Sequence, residues 1–141
     1  MSQENVEIVR RAFAAVNRGD RETAIGLLHP GVVIDATRRV FNPTTYVGMR
    51  GIRQWMADTD ETWEQFGFEA SEVIDVGDKV VVIGRLFGKG KASGVRVGQP
   101  MVGIWTARDG RIVRGEIGYT DRRVVLKAVG LSDQDAHADS S

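Results

Sequence analysis

The chain changes its hydrophobic periodicity at Gly67, and this change limits the folds open to it. Before Gly67, apolar residues mostly recur three and four positions apart, which is the spacing of amphipathic helices. After Gly67 they alternate with polar residues, and the tripeptide Arg108-Asp109-Gly110 marks a hairpin. Helices ahead of a run of hairpins favour an α+β fold, with helices on one face of a curved antiparallel sheet.

Turn residues and helix-capping residues divide the two halves into elements. The predicted helices are Ser2–Arg18, Arg21–Leu28, Gly51–Phe66 and Arg122–Val129. The predicted strands are Val32–Ala36, Phe68–Val76, Lys79–Lys89, Val95–Ala107 and Arg111–Thr120, with an irregular segment at 38–47. We expect Asp20 and Asp121 to cap the helices that follow them.

Length and composition are typical of one globular domain. The chain has 141 residues, which suits a single core over residues 1–131. The polar tail at 132–141 predicts disorder. Lys plus Arg and Asp plus Glu both number 19, so we expect neither nucleic acid nor a membrane as a partner. The chain has no cysteine and two histidines, so we expect a cytoplasmic protein with no metal site and no cofactor.

The strand at 79–87 is apolar on both of its faces. Val81, Ile83 and Phe87 share one face with Arg85, and Val80, Val82 and Leu86 share the other. If helices cover one face, a second structure must cover the other. The prediction is a homodimer through the sheet face, and the alternative is cover by the C-terminal helix or a loop.

The stretch from Gly31 to Trp55 places one carboxylate, Asp35, at the end of an apolar strand. If Asp35 lay in a pocket lined by aromatic side chains, desolvation would raise its pKa and make it a better general base. The alternative is an ion pair with Arg38 or Arg39, which would lower its pKa. Both interpretations are open from the sequence.

Other residues are predicted to surround the same pocket. Arg85 is a candidate to polarise a substrate or to pair with Asp35, and Tyr119 or Tyr46 could donate a hydrogen bond to an oxyanion. The predicted catalytic residues are Asp35, Arg85 and Tyr119. The predicted substrate contacts are Phe13, Arg38, Tyr46, Trp55, Trp63, Phe87, Met101, Trp105 and Glu116. This lining indicates an apolar or aromatic ligand.

Five segments of the chain form a recognisable set. They are VEIVRRAFAAVNRGD, HPGVVID and YVGMRGIRQW in the first half, and WTARDGRIVRGEIGYTDRR and VVLKAVGL in the second. Together they resemble the SnoaL-like proteins of the nuclear transport factor 2-like superfamily. The resemblance covers residues 4 to 131. It implies a cone of curved sheet and helices around a deep apolar pocket, commonly in a dimer. The superfamily includes polyketide cyclases, ketosteroid isomerase, limonene epoxide hydrolase and dehydratases.

The resemblance is partial at the residues that carry known activities. Asp35 matches the general base of ketosteroid isomerase, but Ala12 and Val102 or Gly103 stand where that enzyme has its oxyanion donors. Arg85 matches the arginine of limonene epoxide hydrolase. Phe87 and Ile117 or Gly118 replace the acids of that enzyme.

The sequence therefore predicts a small-molecule pocket protein. The first hypothesis is a cofactor-independent isomerase, cyclase or dehydratase that uses carboxylate acid–base chemistry on an apolar substrate. The alternatives are a non-catalytic module for hydrophobic ligands or assembly, and an epoxide hydrolase-like enzyme with an altered site.

Overall fold

The computed structural model describes residues 2–40 and 42–131, which form four helices and six strands. The helices are α1 (Ser2–Asn17), α2 (Arg21–Gly26), α3 (Gly48–Thr62) and α4 (Arg122–Ala128). The strands are β1 (Leu28–Asp35), β2 (Thr45–Val47), β3 (Trp63–Val76), β4 (Lys79–Gly90), β5 (Arg96–Arg108) and β6 (Arg111–Tyr119).

All six strands join one curled sheet in the order β2-β1-β6-β5-β4-β3. Neighbouring strands are antiparallel, except that β1 runs parallel to β6. The predicted α+β cone fold is confirmed, and the sheet is mixed rather than purely antiparallel.

Each face of the sheet carries its own apolar core. On the face that we call inner, Val9 of α1 and Ile52 of α3 pack with Val82 of β4. On the opposite, outer face, Val125 and Leu126 of α4 pack against the sheet. The inner core is the larger of the two, and the aromatic side chains described below surround it.

Strand β4 contributes to both cores, as its sequence predicts. Val80, Val82 and Leu86 lie in the inner core, and Val81 and Ile83 lie in the outer core. Helix α4 therefore covers the centre of the second face, which is the alternative that the sequence left open. The homodimer stays a prediction, and the cover by α4 removes part of the reason for it.

Several element boundaries differ from the sequence-based prediction. Helix α3 ends at Thr62 rather than Phe66, because Trp63 and Phe66 pair with β4 at Gly90 and Gly88. Cross-strand pairing here overrides the helical spacing of the apolar residues. Strand β1 begins at Leu28 rather than at residue 32, and β2 lies within the segment that was predicted to be irregular. The prediction for residues 132–141 lies outside the described residues.

Side-chain hydrogen bonds fix the helices on this sheet. The Asn17 side chain accepts a hydrogen bond from the Phe68 N–H at 2.9 Å and donates one to the Phe68 carbonyl at 2.7 Å, so the end of α1 is tied to β3. Asp20 and Asp121 cap α2 and α4 as predicted. Within residues 2–40 and 42–131, no helix combines the length and apolar character that crossing a membrane requires.

Candidate functional site

The structure divides the predicted site residues into three groups. Phe13, Tyr46, Trp55, Trp63, Met101 and Trp105 belong to or pack against the inner core. Asp35, Arg38, Glu116 and Tyr119 form a cluster on the outer face. Arg85 and Phe87 lie at the far end of β4, with exposed side chains. The residues that were predicted to share one site therefore occupy three places.

Strand alternation places Asp35 on the outer face. Val32 and Ile34 are fully buried in the inner core, so Val33 and Asp35 point to the opposite side of β1. The predicted carboxylate inside an aromatic pocket is therefore wrong in its location. The side chain of Asp35 is nevertheless only 15% exposed, because neighbouring polar groups surround it.

Hydrogen bonds keep Asp35 ionised. Its Oδ1 accepts the Thr37 hydroxyl at 2.6 Å and the Thr37 backbone N–H at 3.0 Å. Its Oδ2 lies 3.1 Å from Arg38 Nη1 and 3.4 Å from Arg114 Nη2. The Thr37 hydrogen bonds first, and Arg38 after them, lower the pKa of Asp35 to about 2, against the opposing effect of burial. The predicted rise in pKa is wrong, and the paired alternative with Arg38 is the one observed.

The remaining members of the outer cluster surround Arg38. Its Nη2 lies 3.8 Å from Glu116 Oε1, and its guanidinium carbon lies 4.5 Å from the centre of the Tyr119 ring. Two carboxylates, Asp35 and Glu116, thus face two guanidiniums, those of Arg38 and Arg114. This balanced network ties the segment after β1 to β6, and its acids are already occupied by cations.

Gly118 brings Tyr119 to the outer face. A register shift between Val102 and Ile104 of β5 interrupts the alternation of β6, and Gly118 adopts a φ of 97° there. A Cβ at this position would lie 2.9 Å from the Arg39 backbone nitrogen. Glycine is therefore required both for the conformation and for the close approach of the segment that carries Arg38.

Sequence reasoning missed Arg114 and Thr37 in this cluster. Arg114 stands two residues before Glu116, so strand alternation already placed the two side chains on one face. The parallel register of β1 with β6 sets Asp35 beside Glu116. That register depends on contacts far apart in the chain, and no local pattern of residues predicts it.

Arg85 and Phe87 are separated from both groups. Strands β5 and β6 lie between β4 and β1, so the predicted pairing of Arg85 with Asp35 is wrong. The Arg85 guanidinium lies over Gly98 of β5 instead. The Phe87 ring covers Gly67 of β3 and is 47% exposed. The expectation that Phe87 lines the pocket is also wrong, because the ring lies on the outer face.

The inner-face aromatic side chains extend across the sheet. Trp55 stacks on Tyr46 of β2 with ring centres 6.1 Å apart. Phe13 meets Trp105 of β5 edge to face at 5.5 Å. Trp63 lies over Gly88 of β4, where a Cβ would come within 2.8 Å of the indole. Trp55, Trp63, Phe13 and Met101 are only partly buried, although all pack against the inner core.

The Tyr46 hydroxyl is already engaged within the protein. It donates to Asp58 Oδ2 at 2.6 Å and accepts from Arg39 Nη2 at 2.8 Å. Burial and the hydrogen bond to Asp58 raise the pKa of Tyr46, so the phenol stays protonated. Asp58 also accepts from Gln54 at 2.7 Å. Tyr46 therefore joins α3 to β2, and this engagement does not favour the predicted role as an oxyanion donor.

Replacing Tyr46 with phenylalanine is expected to lower the free energy of unfolding by about 1–2 kcal/mol, because Asp58 and Arg39 each lose a partner in a half-buried place. Urea denaturation at pH 7 measures the change. The matched control is Tyr119→Phe, which keeps the ring that contacts Arg38 and is expected to cost less. Equal losses in the two variants would contradict this assignment.

Two surface grooves lie near these clusters. One, of about 400 Å³, is lined by Val33, Lys79, Thr106, Arg108, Val113 and Arg114. The other, of about 510 Å³, is lined by Asn42, Thr44, Thr45, Tyr46, Val47, Arg50, Gly51, Gln54 and Asp58. Of the inner aromatic side chains, Tyr46 lines the second groove, and Phe13, Trp55, Trp63 and Trp105 line neither.

Comparisons with known proteins agree with this fold. The SnoaL-like domain model matches residues 9–115, and the chain belongs to the SnoaL-like family. No curated protein matches the chain in sequence.

Solved structures resemble it over most of its length. A candidate SnoaL-like polyketide cyclase from Jannaschia sp. CCS1 is 25% identical with a TM-score of 0.71, over 91% of this chain and 92% of that one. TerC, co-crystallised with polyporic acid, is 24% identical with a TM-score of 0.73, over 89% and 98%. A protein from Catenulispora acidiphila DSM 44928 with a ketosteroid isomerase-like fold, in complex with trimethylamine, is 22% identical with a TM-score of 0.70, over 89% and 93%.

Proposed function

We propose that the protein binds a flat, apolar small molecule among the aromatic side chains of the inner face. The observation that carries this proposal is that Trp55, Trp63 and Met101 pack against the inner core and yet stay partly exposed. Large apolar side chains that pack against a core and stay partly open to water are typical of a ligand or partner surface. Aromatic rings also supply broad flat contact area for another ring system.

The charges favour binding over proton transfer at this place. Asp35 and Glu116 lie on the outer face in ion pairs, and Asp58 is occupied by Tyr46 and Gln54. Among the aromatic side chains at the inner core, the polar groups are the Tyr46 hydroxyl and the indole N–H groups, and the nearby Asn5 and Asn17 side chains of α1 donate to backbone carbonyls. Acid–base chemistry needs a titratable group beside the substrate. Retention of a ligand needs only shape and apolar area.

The structural neighbours agree with a small-molecule role. TerC was co-crystallised with polyporic acid, and the Catenulispora protein was solved with trimethylamine. Their low identity relates them to this chain by fold, so they support a ligand site without naming its occupant.

The test uses 2-isopropenylnaphthalene, a flat hydrocarbon, and protein labelled with ¹⁵N at the indole nitrogens. All three tryptophans of the chain, Trp55, Trp63 and Trp105, lie at the inner face, so their indole signals report on this face of the sheet. We expect these signals to shift saturably on titration. Trp55→Ala is expected to weaken binding about tenfold or more, because truncation removes an aromatic contact of about 1.5 kcal/mol.

The matched control is Phe87→Ala, which removes an exposed ring from the outer face. It is expected to leave the dissociation constant unchanged. Absence of any saturable shift in the three indole signals would refute the proposal, and so would equal weakening by Trp55→Ala and Phe87→Ala.

A further inference from the structure

The Trp105 side chain has a buried hydrogen-bond donor without a protein partner. The residue is 8% exposed, and its Nε1 has no hydrogen-bond partner within the described part of the chain. Leaving a buried N–H unpaired is unfavourable, so such groups are uncommon and call for an explanation. Among the described residues, Arg39 Nε is another buried donor without a partner, but it belongs to a guanidinium whose Nη2 is hydrogen-bonded to Tyr46.

The position of the indole shows why its N–H stays unpaired. The ring lies flat on the sheet, because a Cβ at Gly103 would be 3.0 Å from Nε1 and a Cβ at Gly115 would be 2.5 Å from Cζ3. Phe13 covers the ring with an interplanar angle of 89°. The N–H bond lies in the plane of the ring and therefore runs along the sheet, on the side of Gly103.

The N–H edge lies on the side of the ring where the apolar surface is partly exposed. On the inner side of β5, Met101 lies next to Gly103 along the strand, and Ile117 lies on the inner side of β6. Met101 and Ile117 are both only half-buried. A methionine side chain has three rotatable bonds and can move aside at low cost, so a ligand could reach the indole from this side.

We infer that the indole N–H of Trp105 is the hydrogen-bond donor that orients the ligand, and that the ligand is an apolar molecule carrying an acceptor oxygen, such as an aryl ketone. This inference rests on the proposed function, since it concerns the same inner-face site. A single fixed donor in an apolar site sets orientation and selects ligands that have an acceptor at the matching place.

The test compares 2-acetylnaphthalene with 2-isopropenylnaphthalene, which has the same shape and a CH₂ group in place of the oxygen. In the native protein, the ketone is expected to move the Trp105 indole proton downfield, and the alkene is expected not to do so. Trp105→Phe is expected to weaken ketone binding about tenfold more than alkene binding, because only the ketone loses a hydrogen bond.

The outcomes separate this inference from the proposed function. If both compounds shift the indole signals of Trp55 and Trp63, but the ketone leaves the Trp105 proton in place and the variant affects both equally, the inference is overturned and the binding function stands. If neither compound shifts any indole signal, both fall. Should Trp105→Phe fail to fold, the comparison of the two compounds in the native protein decides the matter by itself.

Discussion

Replacing Gly84 with alanine is expected to lower the free energy of unfolding by about 3 kcal/mol or more. A Cβ at this position would lie 2.0 Å from the Glu69 carbonyl oxygen and 2.9 Å from the Ala70 Cα. Both are backbone atoms of β3, which no side-chain rotation can move away. The two strands would have to separate at this point, and hydrogen bonds of the ladder would be lost.

The position of Gly84 links this clash to the shape of the site. Gly84 pairs with Ala70, next to a register shift between Ala70 and Glu72. Such bulges bend and twist a sheet, and this one lies near the place where Asn17 ties α1 to β3 at Phe68. Forcing the strands apart would therefore also loosen the inner aromatic surface.

Urea denaturation followed by circular dichroism measures the effect of Gly84→Ala. The matched control is Gly26→Ala at the end of α2, where a Cβ would meet nothing within 4 Å. That variant is expected to be neutral or slightly stabilising, because alanine restricts the unfolded chain. A Gly84→Ala protein as stable as the Gly26→Ala protein would show that β3 and β4 do not approach each other in this way.

The overall fold could be predicted because it depends on local patterns. The change from helical to alternating periodicity near Gly67 separates α1, α2 and α3 from the run of strands β3 to β6, and the alternation along β4 assigns Val80 and Val81 correctly to opposite faces. The end of α3 could not be predicted in this way. Trp63 keeps the helical spacing of Trp55 and Met56, and only its pairing with Gly90 of β4 places it in a strand.

The candidate site could be predicted less well, because it depends on which face of each strand meets the helices. Both faces of β1 are apolar up to Asp35, so its alternation alone does not say which side is inner. The ion pair between Asp35 and Arg38 could be considered from the sequence, because the two residues lie close together in the chain. Whether Arg85 can reach Asp35 depends on the strand order, which is set by contacts between distant segments.

The side of the sheet was predicted more successfully for aromatic residues than for charged ones, although Phe87 and Tyr119 lie on the outer face. Phe13, Trp55, Trp63 and Trp105 were expected to bound an apolar space, and all four lie at the inner core. Burial of large apolar area dominates folding and draws such residues to one side of the sheet. The position of a charged group instead depends on its hydrogen-bond and ion-pair partners, and Asp35 is paired with Thr37 and Arg38 on the outer face.

Asp35→Asn is expected to lower the free energy of unfolding at pH 7 by about 2 kcal/mol while leaving 2-isopropenylnaphthalene binding unchanged. The substitution leaves the guanidiniums of Arg38 and Arg114 without the carboxylate that they share. Binding should persist, because Asp35 lies on the face opposite the inner aromatic side chains. A loss of ligand binding in a folded Asp35→Asn protein would return Asp35 to the candidate site.

The pH dependence of this effect has a defined sign. The pKa of Asp35 is lowered from an ordinary value of 3.8 to about 2 in the folded protein, so the unfolded chain binds a proton more readily. The stabilisation is fully present above about pH 4 and is lost as the pH falls towards 2. The difference in unfolding free energy between the native protein and Asp35→Asn should therefore be constant from pH 7 to pH 5 and shrink at pH 3.

The matched control for this experiment is Asp60→Asn. Asp60 also accepts two hydrogen bonds from an arginine, Arg21, at 2.6 and 2.9 Å, but its side chain is 57% exposed. Water and salt screen such a surface pair, so the loss is expected to be much smaller than the loss for Asp35→Asn. Equal losses for Asp35→Asn and Asp60→Asn would mean that the outer cluster is no more than a surface ion pair. A larger loss for Asp35→Asn that shrinks at pH 3 would show that the outer cluster stabilises the contact between β1 and β6.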